Sequence, residues 1–243
     1  MKALSYYDLM EACGRPGCPV CRLLEADSAR FFDALLYERF TDPRIQLALI
    51  ASRGLCSIHG AQLMDENRGA FAIAFLNELL ISALIDTLDS VAAPQSAQSR
   101  LTRLLGFPLD AAARTAQALS PEKPCICCEA LHQNEARYLD VFAEALTEVG
   151  MLKTYGESDG LCLPHFRMLV ANIDDPAALE QLIAAQRAIW RRLEDALEAF
   201  IARHEFSADD QVLTDAEASS WRQALNQLMG RPRALGTRGS GGR

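Results

Sequence analysis

An all-α fold of two related helical lobes is what this 243-residue chain predicts, and three observations carry that expectation. Alanine and leucine fill 73 positions while valine, isoleucine and threonine together fill only 25, a bias toward residues that keep rotamer freedom in a helix and away from the β-branched residues of sheets. The chain also repeats itself, at an offset of 107 and then 106 residues. Between the repeated motifs, apolar residues recur at helical spacing. The length exceeds one ordinary core of ~100 to 150 residues, and a composition half hydrophobic and 23% charged excludes a wholly disordered or collagen-like chain.

Taken in order, the N-terminal stretch MKALSYYDLMEAC holds no apolar run long enough for a signal peptide. Cys18-Pro19-Val20-Cys21 then opens the first repeat, and Cys125-Ile126-Cys127-Cys128 opens the second. An amphipathic helix follows each. Val20, Leu24, Phe31 and Leu35 share one face in the first, and Leu131, Tyr138 and Phe142 take the places of Leu24, Phe31 and Leu35 in the second. Gly54-Leu55-Cys56-Ser57-Ile58-His59 is matched by Gly160-Leu161-Cys162-Leu163-Pro164-His165, so one residue has been lost between the motifs of the second repeat.

Further helices are expected over roughly residues 61–91 and 176–204, the latter started by Asp174, Asp175 and Pro176. The most apolar run, 70–88, is broken by Asn77, Glu78 and Asp86, and reads as a buried helix with no transmembrane span in the chain. The boundaries that follow are a first repeat over 1–92, a linker with a connecting helix over 93–123, a second repeat over 124–229 ending in a helix at about 215–229, and a disordered basic tail over 230–243. The formal charge is −8, or −12 without the four arginines of that tail. An acidic body repels phosphate, so nucleic acid is not an expected partner. A cytoplasmic protein is expected, and in that compartment eight cysteines read as ligands or redox thiols before disulfides.

Each repeat thus carries C-x2-C, a spacer of 34 or 33 residues, and C-x2-H. Zinc takes four tetrahedral sulfur and nitrogen donors, and each pair offers two donors from one turn. The expected closure is within each repeat: Cys18, Cys21, Cys56 and His59 around one ion, and Cys125, Cys128, Cys162 and His165 around the other. An exchanged closure, each C-x2-C with the other repeat's C-x2-H, satisfies the same spacings. Two zinc ions are expected before iron-sulfur clusters, which usually take four cysteines. Three thiolates on a zinc dication leave a net negative site that Arg22, Arg30 or Arg137 could offset, although solvated helix faces suit those arginines better. Sites with no open position suit a structural role, so the chain reads as a binding or assembly module with a protein partner or a second copy of itself, and not as an enzyme.

Other chemistry-bearing residues are weaker. Cys13 and Cys127 fall outside the pattern and read as small apolar packers before alternative ligands or resolving thiols. Cys125-x2-Cys128-x3-His132 resembles the CxxCxxxH of all-α alkylhydroperoxidase-D-like enzymes, a thiol redox alternative, but Glu25 stands where the first repeat would need the histidine. His204 suits a helix C-terminus, Trp190 lies on an apolar stripe, and Asp174-Asp175 and Asp209-Asp210 look like helix-start or loop acids.

The tandem CPVC…GLCSIH and CICC…GLCLPH, with LLEADSARFFDALLYE between the motifs of the first half, resemble a family of bacterial proteins of uncharacterised activity that carry two CPxC…GxCxxH units. The resemblance spans nearly residues 8 to 200 and implies a helical cytosolic protein with two metal sites. Ile126-Cys127 departs from the family's Pro-x between the second pair of cysteines.

Overall fold

In the computed structural model, residues 2–65, 69–92, 111–205 and 213–231 are described. Among them the chain forms eleven α-helices, one π-helical turn and no strand. The helices are α1 (Lys2–Cys13), α2 (Pro19–Ala34), α3 (Pro43–Ala51), α4 (Ser57–Met64), α5 (Ala70–Ala92), α6 (Ala111–Leu119), α7 (Ile126–Ala145), α8 (Val149–Glu157), α9 (Leu163–Val170), α10 (Pro176–Glu205) and α11 (Asp215–Met229). The first part of the expected linker, Asp209-Asp210, and the tail beyond Arg231 lie outside the described residues.

The duplication is visible element by element. Adding 106 to the bounds of α3 and α4 gives those of α8 and α9, and α5 and α10 start on equivalent residues. The offset of 107 at the first motif becomes 106 further on because the first repeat has one extra residue, and the helix absorbs it locally. α2 runs directly into the π-helical turn Leu35–Arg39, whereas α7 continues without interruption to Ala145. A wider i→i+5 turn takes up one residue without ending the helix, so the donors before it and the core after it both keep their places.

The chain divides into two compact units, each assembled from both repeats: Met1–Ala29 with Ala130–Gly236, and Arg30–Glu129. The division falls inside α2 and α7. In the first unit α10 packs on α8 and α11, α1 packs on α8, and α9 packs on α11. Leu9, Leu24, Leu131, Leu139, Phe142, Leu146, Met151, Tyr155, Leu161, Leu169 and Leu182 are almost wholly buried there. In the second unit α5 packs on α3, α6 and the π turn, over a smaller buried set of Phe32, Leu35, Leu36, Leu49, Ala72 and Leu76.

Two expectations need correction. The single helix expected over 61–91 is two, α4 and α5. Gly69 between them has φ +82°, and a side chain there would crowd Leu36, whose Cδ1 lies 3.0 Å from the place of a Cβ. The run over 70–88 is not a buried helix either: of its most apolar 18-residue window only 11% is buried, and Phe71, Ile81, Ile85 and Leu88 are exposed. Its apolar residues surround the whole helix, so packing one face leaves the others outside. With a mean hydropathy of 1.8 it is, by length and composition alone, a helix that could cross a membrane.

Two candidate metal centres

Four helices begin on a cysteine, and their N-termini build two sites. The carbonyls of Cys18, Cys56, Cys125 and Cys162 accept the first helical hydrogen bonds, from the backbone N–H of Arg22 (3.1 Å), Gly60 (2.7 Å), Glu129 (3.0 Å) and Phe166 (2.8 Å). Each of these cysteines is therefore the N-cap of α2, α4, α7 or α9. The second donor of each pair, Cys21, His59, Cys128 or His165, sits three residues on. That turn brings it to the side of the helix where the cap side chain lies, as in a capping box. This is the physical content of the C-x2-C and C-x2-H spacing.

The glycine two residues ahead of Cys56 or Cys162 turns the chain into the cap. Gly54 has φ +93° and Gly160 φ +74°. At Gly160 a Cβ would also lie 2.9 Å from Ile189 Cδ1 and 3.0 Å from Gln186 Oε1, so the position excludes a side chain twice over.

Within the first unit, the starts of α2 and α9 bring Cys18, Cys21, Cys162 and His165 together (site 1). Within the second, the starts of α4 and α7 bring Cys56, His59, Cys125 and Cys128 together (site 2). In each set one donor atom per residue lies within 4.8 Å of all the others, so each could hold a metal ion. In site 1, His165 Nδ1 is 3.4 Å from Cys18 Sγ, 3.4 Å from Cys21 Sγ and 3.2 Å from Cys162 Sγ, and Cys21 and Cys162 sulfurs are 3.7 Å apart. In site 2, His59 Nδ1 is 3.4 Å from Cys56 Sγ, 3.7 Å from Cys125 Sγ and 3.3 Å from Cys128 Sγ, and Cys56 and Cys128 sulfurs are 3.7 Å apart.

All eight expected donors are thus gathered into two quartets, but the pairing is the exchanged one and the closure expected within each repeat is overturned. The spacing argument could not decide this. Each pair is fixed by its own helix turn, and that spacing is silent on which two turns meet.

Electrostatics suit gathered sulfur anions. Two helix N-termini converge on each quartet, and their positive ends favour thiolates. Arg22 donates instead to the Pro16 carbonyl, and Arg137 lies 5.1 Å over the Tyr138 ring. At site 1, burial pushes the Cys18 thiol up, but hydrogen bonds from Cys162, Cys21 and His165 hold it well below its usual range, while the bonds it shares with Cys162 and Cys18 push Cys21 up. At site 2 the hydrogen bond from Cys128 brings Cys125 down to about 3, with His59 adding to the effect. Burial opposes charge on His59, yet Cys125 and Cys127 outweigh it and raise the ring to about 10.

The sites differ in what surrounds them. His165 Nε2 lies 2.9 Å from Glu135 Oε1, and both residues are buried. A carboxylate there fixes the tautomer that leaves Nδ1 for a metal. The backbone ahead of Cys162 is clamped as well: Leu161 N–H donates to Tyr155 Oη and Gln186 Oε1, each at 3.2 Å, and Gln186 Nε2 donates to the Leu161 carbonyl at 3.2 Å. The repeat offsets put Ser28, Leu49 and Leu80 at the positions of Glu135, Tyr155 and Gln186. Among the described residues, the buried His59 Nε2 has no hydrogen-bond partner. Cys56 is half-buried whereas the other seven donors are buried, and it borders a cavity of about 690 Å³ lined largely by Leu35, Leu49, Ile73, Leu76, Leu80 and Leu84.

Glu135 was missed from the sequence, although a signal existed. It falls on the stripe Leu131, Tyr138, Phe142, and an acid on an apolar face needs a partner. Cys13 is buried, and burial, with the Cys18 charge adding, pushes it up to about 12, which fits an unreactive packer. Cys127 is wholly buried and interacts with the His59 ring. The imidazole beside Cys128 is that of His59, while His132 Nε2 has no hydrogen-bond partner among the described residues. Glu25 pairs with Arg231 at 2.6 Å, which ties down the first residues of the expected tail. His204 Nδ1 lies 2.8 Å from the Phe200 carbonyl, the helix-end role expected of it, and Trp190 Nε1 donates to Gln227 Oε1 at 3.4 Å.

A family model described as a family of unknown function (DUF6062) matches residues 5–233, which takes in all eight donors. No curated protein and no solved structure matches the chain.

Proposed function

The chain belongs to that family, and from its two quartets we propose that it is a zinc-binding helical protein with one structural ion in each unit, acting as a binding or assembly module. The observation that carries this reading is the size of the quartets. A tetrahedral zinc with Zn–S of ~2.3 Å and Zn–N of ~2.0 to 2.1 Å needs sulfurs about 3.8 Å apart and sulfur to nitrogen distances of about 3.6 Å. One sulfur pair in each site, at 3.7 Å, and the sulfur to nitrogen distances of 3.2 to 3.7 Å sit close to those edges, with the remaining sulfurs inside 4.8 Å. An iron-sulfur cluster fits less well, because its protein ligands bind different irons around a multi-atom core, and donors within 4.8 Å of one another leave no room for that core.

Each ion would fasten the start of one long helix, α2 or α7, to the start of a short one, α9 or α4. Four donors complete a tetrahedral shell, which supports a structural role over Lewis-acid catalysis. Six cysteines gathered with two histidines as metal donors support a reducing compartment, the cytoplasm, as the place of action. The exposed apolar faces of α5 support a protein partner or a second copy of the chain, and the acidic charge argues against nucleic acid. Elemental analysis with an absorption spectrum tests the proposal. Two zinc per chain in a colourless protein is the expected result, and iron with acid-labile sulfide and visible absorption that bleaches on reduction would replace zinc by the cluster reading.

A further inference from the structure

The two quartets have the same donors and nearly the same dimensions, but they are not equally guarded. Site 1 is sealed, with all four donors at most 5% exposed, His165 held by Glu135, and Tyr155 and Gln186 filling the corner around Leu161. In the equivalent corner of the second unit, Leu49 and Leu80 stand in place of that polar pair, and the cavity of about 690 Å³ opens there with Cys56 in its wall. The space is large enough for a small apolar molecule. Cys128 waits behind Cys56 with its sulfur 3.7 Å away.

We propose that site 2 is a hydroperoxide-sensitive metal-thiolate centre in which Cys56 is the sulfur attacked and Cys128 the sulfur that resolves it, the cavity holding the apolar part of an organic hydroperoxide. The inference rests on the reading of the quartets as metal centres. The Cys56 thiolate attacks the terminal oxygen of the hydroperoxide, the O–O bond breaks, and the alkoxide leaves as an alcohol after taking a proton from water. Cys56 is then a sulfenic acid. The Cys128 thiolate attacks that sulfur, the S–O bond breaks, and hydroxide takes a proton and leaves as water. Two thiolates, one hydroperoxide and two protons become one disulfide, one alcohol and one water, with two electrons passing from sulfur to the peroxide. The sulfurs close from 3.7 Å toward the ~2.05 Å of a disulfide, and the ion, left with Cys125 and His59, dissociates. Site 1 has an equivalent sulfur pair, Cys21 and Cys162, at the same 3.7 Å, so access and not sulfur spacing separates the two.

The experiment uses the full chain with its metal content measured beforehand. Cumene hydroperoxide is added, metal release is followed with a chromogenic chelator, and the thiols are then alkylated and mapped by mass spectrometry. The expected result is release of one of two ions in a fast phase, with a Cys56–Cys128 disulfide and Cys21 and Cys162 still alkylated. Gly60 borders the cavity, and among the described residues a Cβ on it would meet nothing within 4 Å, so Gly60→Leu narrows the space with no clash at its Cβ. It should keep both ions and slow the fast phase severalfold. Relative to its rate with free cysteine, cumene hydroperoxide should outpace hydrogen peroxide. Two bound ions released together, a Cys21–Cys162 disulfide forming first, an unchanged rate in Gly60→Leu or no preference for the apolar peroxide overturns this inference alone. A preparation that binds no metal overturns the metal-centre reading and this inference with it.

Discussion

At the scale of single residues, the difference between the sites is concentrated in Glu135. Its carboxylate, 2.9 Å from His165 Nε2, holds the ring with Nδ1 turned to the three sulfurs and raises the basicity of that nitrogen. Glu135→Gln keeps the shape and removes the charge. Loss of such an outer partner typically costs ~10- to 100-fold in metal affinity. The expected outcome is therefore a site 1 weakened by about that factor and a site 2 left as it was, read by competition with a chelator of known affinity. Equal affinities in both proteins would reduce Glu135 to a packing residue. The donors were legible in the sequence because a helix turn fixes their spacing, and the duplication made chance a poor explanation. Glu135 was not read, although its place on the stripe of Leu131, Tyr138 and Phe142 marked it, because attention to metal-ligand types passes over the carboxylate that orients a histidine.

At the scale of elements, the repeat is preserved where it shapes the donors and relaxed where it does not. The bounds of α4 and α9 match residue for residue at an offset of 106, and so do those of α3 and α8. The extra residue of the first repeat sits in the π turn Leu35–Arg39, well past Cys21. The two G-L-C turns are equivalent in backbone but not in surroundings, which yields a paired prediction. Gly160→Ala must place a Cβ 2.9 Å from Ile189 Cδ1 with φ at +74°, so strain and a steric clash add. Among the described residues Gly54→Ala meets only Leu80 Cδ1, at 3.5 Å, and bears the backbone strain alone. Thermal unfolding should show Gly160→Ala destabilised by about 2 to 3 kcal/mol and Gly54→Ala by about 1 kcal/mol. The reverse order would mean that the Tyr155 and Gln186 corner yields more readily than its hydrogen bonds suggest. The split between α4 and α5 escaped sequence reading because an isolated glycine is tolerated in helices. Only the approach of Leu36 to Gly69 shows why none other than glycine fits there.

At the scale of the whole molecule, the exchanged pairing changes what a repeat is. A chain duplicated in sequence would ordinarily give two units that follow the duplication, yet each compact unit here takes its C-x2-C from one repeat and its C-x2-H from the other. Neither repeat holds a complete quartet, and covalent continuity through α2 and α7 carries each C-x2-C helix from one unit into the other. The consequence is a test that separates exchanged from internal closure without structure determination. Residues 1–92 and 111–231, made as separate chains, each contain three cysteines and a histidine in C-x2-C and C-x2-H pairs. Internal closure would let each fragment bind one ion and fold by itself. Exchanged closure leaves each with two half-sites, and because site formation contributes on the order of 10 kcal/mol to folding in small zinc domains, each fragment alone should be poorly helical and bind zinc weakly. Mixing the two with zinc should restore helicity by circular dichroism and a complex with two ions per pair of fragments. The second unit, with the smaller buried core, should show the larger gain on mixing in hydrogen exchange. Fragments that each bind one ion tightly and stay apart on mixing would return the molecule to two independent repeats.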